Sequence, residues 1–452
     1  MEKDEFTHPY LGLTKKERKE MLEYLGLTSA DELFSDIPIR SEFHMEEQPL
    51  SEQELFFEFY ELSKRNWNYL EHPLFAGGGA HAHYVPAVVQ KIIERGEFLT
   101  SYTPYQPEIS QGMLQALFEY QSMMCELTAL DVANASHYTY GSSLGEAAHM
   151  AHRINSKNKV VVCGAVNPER LEVLRAYAFG KKLAVVQTRY DEQKGSLDFD
   201  ALQSAVDDET CMVYVESPNY FGVVEPNLEE VAEIAHKKGA LFCVGFDMIS
   251  LALFKPPGEV GADIAVGEGV GFPISYGGPS LGVFATRKQY VRSMPGRVVG
   301  ATLDKRGKRG FVITLQTREQ HIRREKATSN ITTNSAILAL ANAVYLALLG
   351  KSGLKKLAER ILSNTHYTQS RLAELKGVTS PLFKGYCYQD FVARIQASEQ
   401  ALEKSFEKHG IIAPTRLKQL DSWLFGVSEL TTKAHVDLLV VSIKEALEKN
   451  EV

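Results

Sequence analysis

Between about residues 113 and 290 the chain alternates short apolar runs with longer amphipathic ones. The short runs are Val160–Cys163, Leu183–Val186, Met212–Val215, Leu241–Phe246 ending in Asp247, Asp263–Val266 and Gly282–Ala285. Helical periodicity fills the gaps, at about 113–127, 142–154, 168–179, 198–206 and 227–239. Strands too apolar to have a wet face, separated by helix-length segments, predict a mostly parallel sheet covered by helices on both sides. In such sheets ligands bind where the strands end. Pro218-Asn219, Asp247 and Gly267–Pro273 lie at those ends, and Gly141-Ser142-Ser143 opens a helix that could receive an anion.

The stretch from Leu241 to Arg287 narrows this further. In folds that bind pyridoxal phosphate, a strand ending in Asp sets a carboxylate against the pyridinium nitrogen. The next strand then delivers the lysine that holds the cofactor as an imine. Here the carboxylate is present as Asp247, but after Lys255 no lysine appears until Lys288. The expectation is the architecture of such an enzyme without its covalent handle, so that chemistry requires a partner chain. The alternative is a self-sufficient enzyme using Lys255 or Lys288. Lys255 precedes Pro256-Pro257 and is expected to point to solvent, and Lys288 lies beyond the following strand.

Composition bounds the remainder. With 452 residues the chain has room for two or three domains. A net charge of −8 argues against nucleic acid as a partner of the whole surface. Five cysteines, with no C-x-x-C pair, fit packing in a reducing compartment rather than disulfides or zinc. The acidic, polar start of the chain does not read as a signal peptide, and a cytoplasmic location is expected. The uncharged run between Lys326 and Lys351 begins with several polar residues. Its apolar part, Ala336–Leu349, is short for a membrane span and predicts a buried helix capped near Thr333 or Asn334 and stopped at Gly350.

Residues 1–70 form an expected helical segment with three capping boxes: Thr14 with Glu17, Ser29 with Glu32, and Ser51 with Glu54. The aromatic run Leu55–Tyr60 follows the third, either a docking face or a partner-binding arm. Residues 71–330 hold the large α/β domain, 331–350 the connecting helix, and 351–452 a smaller α/β domain. In the last, strands are expected near Asp390–Ile395 and Trp423–Val427, with helices at about 354–375, 398–409 and 433–448. Residues 75–112 read as irregular; His81 and His83 there lack the further ligands a metal would need. Residues 296–326 form a basic island, with nine Lys or Arg against three acids, or +6. Such a segment in an acidic chain suits an anionic partner or substrate.

Three stretches carry a resemblance: Tyr102–Gly112 (YTPYQPEISQG), Gly296–Gly300 (GRVVG) and Thr314–Asn334 (TLQTREQHIRREKATSNITTN). They resemble the glycine cleavage system P-protein family, and within it the N-terminal-type subunit, the glycine dehydrogenase (decarboxylating) subunit 1 type. The resemblance covers nearly the whole chain. It implies the type I pyridoxal-phosphate transferase fold, like aspartate aminotransferase, with a large domain and a small C-terminal one. It further implies an obligate subunit with no covalent pyridoxal phosphate of its own. The cofactor would be carried by a second P-protein subunit, the two assembling as αβ and commonly α2β2. The pair would decarboxylate glycine, release carbon dioxide and pass the aminomethyl group to the lipoyl group of H-protein. No metal, nucleic acid or membrane is implied.

Three places depart from the family pattern. Tyr138-Thr139-Tyr140-Gly141-Ser142 stands where Tyr-Asp-Gly, a small residue and Thr are usual, so that Tyr140 intrudes on the phosphate cup. The slot at 267–273 is altered and appears shorter, and His81-Ala82-His83 replaces Tyr-Asp-His. A drifted pocket beside intact motifs is what a subunit without its own cofactor predicts. The candidates for a shared site or interface are therefore Tyr102, Tyr105, Gln106, Arg318, His321, Arg323 and Arg324. A purely structural scaffold remains the competing reading, in which the same residues hold the subunits together.

Overall fold

The computed structural model describes residues 13–37, 50–101, 103–331 and 335–449. It divides into two compact units, Met1–Asn66 and Trp67–Val452. In the first, helices run Lys15–Leu25 and Glu52–Ser63, with a 3-10 turn at Ala30–Phe34. All three expected capping boxes form. At the first, the Thr14 amide donates to Glu17 Oε2 at 2.9 Å and the Glu17 amide returns to Thr14 Oγ1 at 3.2 Å. None of these three elements contains a buried residue.

The second unit is built on a seven-stranded sheet: β1 (Val132–Ala133), β2 (Lys159–Val162), β3 (Ala184–Gln187), β4 (Thr210–Ser217), β5 (Leu241–Asp247), β6 (Ile264–Glu268) and β7 (Gly282–Thr286). Their order across the sheet is β1-β7-β6-β5-β4-β2-β3. The pairs β3–β2, β2–β4, β4–β5 and β5–β6 are parallel, while β7 runs antiparallel to both neighbours. The six apolar runs read from the sequence are β2 to β7. The two-residue β1 is too short to leave a hydrophobic pattern. The five expected helices appear as Gln111–Thr128, Tyr140–Asn155, Pro168–Lys181, Phe199–Ala205 and Leu228–Lys237. Their apolar faces bury β2, β4, β5 and β6 almost completely.

Beyond the sheet, β8 (Val298–Leu303) and β9 (Arg309–Thr314) form an antiparallel hairpin within the basic island. A smaller sheet follows, ordered β10 (Val378–Thr379), β11 (Asp390–Ile395), β13 (Ser422–Gly426) and β12 (Thr415–Leu417). Helices Glu399–Lys408 and Lys433–Glu448 pack on it. The stretch 75–112, expected to be irregular, contains short helices at Ala87–Ile93 and Gly96–Leu99.

The helix from Ala336 to Ala373 is long and apolar enough, by composition, to cross a membrane. In this fold Ala336, Ala339, Ala343 and Tyr345 instead join Leu114, Leu117 and Tyr120 of the Gln111–Thr128 helix in one buried cluster. Its first residue follows Ser335 as N-cap; the expected caps Thr333 and Asn334 lie outside the described residues. The expected stop at Gly350 is real in the backbone: φ 57° and ψ −179° break the helix there, and a second helical run begins directly after it.

Candidate functional site

The carboxyl ends of β4, β5 and β6 close around a cavity of about 60 Å³ that opens into a wider mouth of about 310 Å³. Gly245 on β5 directly precedes the lining residues Phe246 and Asp247. A Cβ at Gly245 would fall 2.0 Å from the Tyr140 hydroxyl, so only glycine lets that phenol lie across the strand. Tyr140 is the first residue of its helix and is buried. Its hydroxyl lies 3.2 Å from that of Tyr214, which in turn donates to Glu216 Oε1 at 2.9 Å. Arg170, half-buried, places its guanidinium carbon 3.8 Å over the Tyr140 ring and Nη1 3.3 Å from Glu216 Oε2. Burial opposes the charge on Arg170. Glu216, supported by the two tyrosines and Glu268, outweighs it and holds the pKa above the ordinary value. Burial in turn pushes both phenols well above theirs.

The helix opening at Tyr140 meets an internal anion. Glu268, at the end of β6, accepts from the Tyr140 amide at 2.9 Å and from the Leu281 amide at 2.7 Å. A helix N-terminus attracts negative charge through its free amides and dipole, and here the chain supplies that charge itself. Burial raises the Glu268 pKa even though both amides pull it down. Asp247, at the end of β5, accepts from the Ser250 amide at 2.7 Å. Across the cavity His81 Nε2 lies 2.9 Å from Asp390 Oδ1. Burial works against the imidazolium, but Asp390, backed by Asp247, wins and raises its pKa. His83 pairs separately with Glu429 at 2.8 Å.

The motif residues gather elsewhere; among the described residues none of them lines this cavity. The centre of their cluster is buried Arg297, whose Nε lies 3.2 Å from Glu319 Oε2 and whose Nη2 donates to the Tyr105 hydroxyl. That hydroxyl is also 3.3 Å from Glu319 Oε2. His321 packs edge-on to Tyr105, with ring centres 5.7 Å apart, and its Nδ1 is 3.7 Å from Glu319. Arg318 donates to the carbonyls of Leu315 at 3.2 Å and Gly296 at 2.9 Å. Burial lowers its pKa to about 10, with Glu319 opposing. Arg318 Nη1 and Glu319 Oε1 are buried with no hydrogen-bond partner among the described residues. Arg323 is exposed and donates to the Thr317 carbonyl at 3.2 Å. Arg324 is exposed with φ 53°, and Gln106 is exposed on its loop. Tyr102 lies outside the described residues. The structure thus joins Tyr105, Arg318 and His321, leaves Gln106, Arg323 and Arg324 at the surface, and adds Arg297 and Glu319, which sequence reasoning did not single out. The GRVVG motif was the available signal for Arg297.

The sequence profile of the family described as "Glycine cleavage system P-protein" matches residues 8–443. A probable glycine dehydrogenase (decarboxylating) subunit 1 from Saccharolobus islandicus (strain M.16.27) is 47% identical over 438 residues, 95% of this chain and 96% of that protein. A protein of the same description from Aeropyrum pernix is 44% identical over 454 residues, 96% and 98% of the two chains. The crystal structure of a glycine decarboxylase (P-protein) of the glycine cleavage system, in inhibitor-bound form, superposes with a TM-score of 0.89 at 39% identity. It covers 98% of this chain and 100% of the other. At 15% identity a sphingosine-1-phosphate lyase from Burkholderia pseudomallei shares the fold, with a TM-score of 0.66 over 92% and 96% of the two chains. The architecture is that of the type I pyridoxal-phosphate transferases. The chain belongs to the glycine cleavage system P-protein family, on its glycine dehydrogenase (decarboxylating) subunit 1 branch.

Proposed function

We propose that this chain is the subunit of a two-subunit glycine decarboxylase that holds no covalent cofactor, and that it works in the cytoplasm. Subunit 2 supplies the pyridoxal phosphate, in an αβ pair commonly doubled to α2β2. Together they decarboxylate glycine, release carbon dioxide and transfer the aminomethyl group to lipoylated H-protein.

The observation that carries this reading is the self-filled seat at the strand ends. Pyridoxal phosphate does not fit it. No lysine lies between Lys255 and Lys288. The deep part of the cavity is only about 60 Å³, and the roughly 300 Å³ of a small-molecule site is reached only in its open mouth, about 310 Å³. The Arg170 guanidinium stacks on the buried Tyr140 ring in this space, and the Glu268 carboxylate takes the first amide of the Tyr140–Asn155 helix, where a phosphate would compete for it. Displacing Tyr140 would also leave the Arg170–Glu216 pair without its cover, which is costly for buried charges.

The two alternative lysines are badly placed for a self-sufficient enzyme. Lys255 is exposed and paired with Glu229 at 2.7 Å. Lys288 follows β7, and because β7 runs antiparallel, its far end lies where the parallel strands begin, opposite the seat. What this chain offers instead is the cluster around Arg297. Arg318, His321, Tyr105 and the outward Arg323 and Arg324 present donors for an anionic group at the edge of a shared cleft, with Gln106 exposed on the neighbouring loop.

Purified alone, the chain is expected to be colourless and inactive; co-purified with a lysine-bearing paralogue it restores glycine decarboxylation. A chromophore retained on this chain after borohydride reduction would overturn the reading. His321→Ala and Arg323→Ala, both at exposed positions, should lower decarboxylation by the assembled pair. A loss of one charged hydrogen bond, worth about 1.5–3 kcal/mol, corresponds to roughly a 10- to 100-fold loss of rate. If the variants instead fail to co-elute with the paralogue, these residues are interface glue and the scaffold reading prevails.

A further inference from the structure

The basic island carries +6 in a chain of −8, so the rest of the molecule carries −14. Four of the island's seven exposed cations, Lys305, Arg306, Lys308 and Arg309, lie together on the β8–β9 hairpin; Arg323, Arg324 and Lys326 are exposed beyond it. The base of the hairpin is clamped to the Gln111–Thr128 helix. Gln121 exchanges two 2.9 Å hydrogen bonds with the backbone of Val299, and Gln111 does the same with Phe311. Val299, Phe311 and Ile313 are buried there. From Ala301 to Arg309 every residue is exposed. The tip is nevertheless built rather than loose: the Asp304 carboxylate accepts from the amides of Arg306 and Lys308, both at 2.8 Å, and Gly307 turns the chain at φ 76°. The one acid of the tip is thereby spent on backbone. Among the described residues Lys305, Arg306 and Lys308 have no ion pair. The Arg309 guanidinium rests 5.6 Å from the Phe118 ring and 5.2 Å from that of Phe311.

These nine exposed residues bury nothing, so the hairpin tip does not serve the core. It holds three unneutralised cations and a stacked arginine on an arm pinned at its base, in a chain whose residues outside the island sum to −14. An acidic body approaching this molecule is repelled by most of it and attracted to the tip, which sets both encounter rate and orientation. Nucleic acid is disfavoured by the −14 remainder. Resting on the function read above, which needs a protein acceptor that arrives and leaves in each turnover, we propose that the β8–β9 tip docks a carboxylate-rich surface of the lipoyl-bearing carrier protein. An arm of fixed shape costs little ordering on each visit, and rim charges of this kind act mainly on association.

The test uses the full chain reconstituted with its lysine-bearing partner, comparing wild type with the Lys305→Glu/Arg306→Glu/Lys308→Glu variant and its Gln counterpart. Turnover is measured with the carrier protein and with free lipoic acid as acceptor, at low and at physiological salt. The expected result is a KM for the carrier raised at least about tenfold at low salt by the Glu variant and less by the Gln variant. The salt sensitivity of the wild type should be lost, with kcat and the rate on free lipoic acid unchanged. Three results would overturn the proposal: an unchanged carrier KM, loss of co-elution with the partner subunit, or altered sedimentation of this chain alone, which would make the tip a contact between copies. A wild-type pair inactive on both acceptors sinks the function reading and this proposal with it, whereas an active pair indifferent to the tip sinks only the proposal.

Discussion

Glu225 shows how far a single residue can be held from its ordinary chemistry. It is buried, and its two carboxylate oxygens accept from the Leu197 amide at 2.8 Å and the Asn219 side chain at 2.7 Å. Burial raises its pKa to about 7, although both donors pull the other way. In the unfolded chain a glutamate titrates near 4.3. Between these values the folded state binds more protons than the unfolded one, so stability is fully present below about 4.3 and is lost as pH rises through about 7. The shift corresponds to roughly 4 kcal/mol across that window. Urea unfolding at the two ends of the window should show this loss in the wild type. Glu225→Gln should flatten the slope while lowering stability at the acid end, because its amide group faces a donor. An unchanged slope in that variant would assign the pH dependence to other groups.

At the level of elements, the helix from Ala336 is broken by a residue whose backbone no other side chain adopts easily. Gly350, at φ 57° and ψ −179°, sits in a region of backbone space that is essentially glycine's own. A Cβ at Gly350 would meet nothing within 4 Å, so Gly350→Ala isolates backbone strain from packing. We expect it to cost about 1–3 kcal/mol, read as a lower urea midpoint with an unchanged m-value. A neutral result would mean that the second helical run can re-register. This break was legible in the sequence because glycine ended an uncharged apolar run. The strands β2 to β7 were legible for the same kind of reason, each being an apolar run bounded by turns. The hairpin β8–β9 was not, because its charges masked the alternation that buries Phe311 and Ile313 and exposes Arg309. The run Ile249–Phe254 forms only the 3-10 turn Ser250–Ala252, whose first amide donates to Asp247 and which is followed by Pro256-Pro257. At the candidate site, Asp247 at the end of β5 and the stretch without lysine between Lys255 and Lys288 could be read directly. The grouping of Tyr140 with Arg170, Tyr214 and Glu216 could not, since it joins three elements through side-chain directions that spacing alone does not encode.

Across the whole molecule stability is expected to be uneven. In the unit Met1–Asn66 the helices Lys15–Leu25 and Glu52–Ser63 have 11 and 12 residues. That is at or below the roughly 12–15 residues at which an isolated helix becomes marginal in water. They bury nothing, and Phe56, Phe57 and Phe59 are more than half exposed. Three capping boxes add about 1 kcal/mol each, which starts a helix but does not replace a core. The unit Trp67–Val452, by contrast, buries β4, β5 and β6 on both faces within its apolar clusters. Opening free energies in one chain range from near zero up to the global value, according to how much burial each segment would lose. Hydrogen exchange on the purified chain should therefore complete first in Lys15–Leu25 and Glu52–Ser63, with the amides of Met212–Val215 and Phe242–Phe246 last. Equal protection in the two sets would mean that the aromatic stripe of Glu52–Ser63 is covered in solution even when this chain is alone. Slow exchange that appears only in the reconstituted pair would instead place the origin of those helices' stability in the partner.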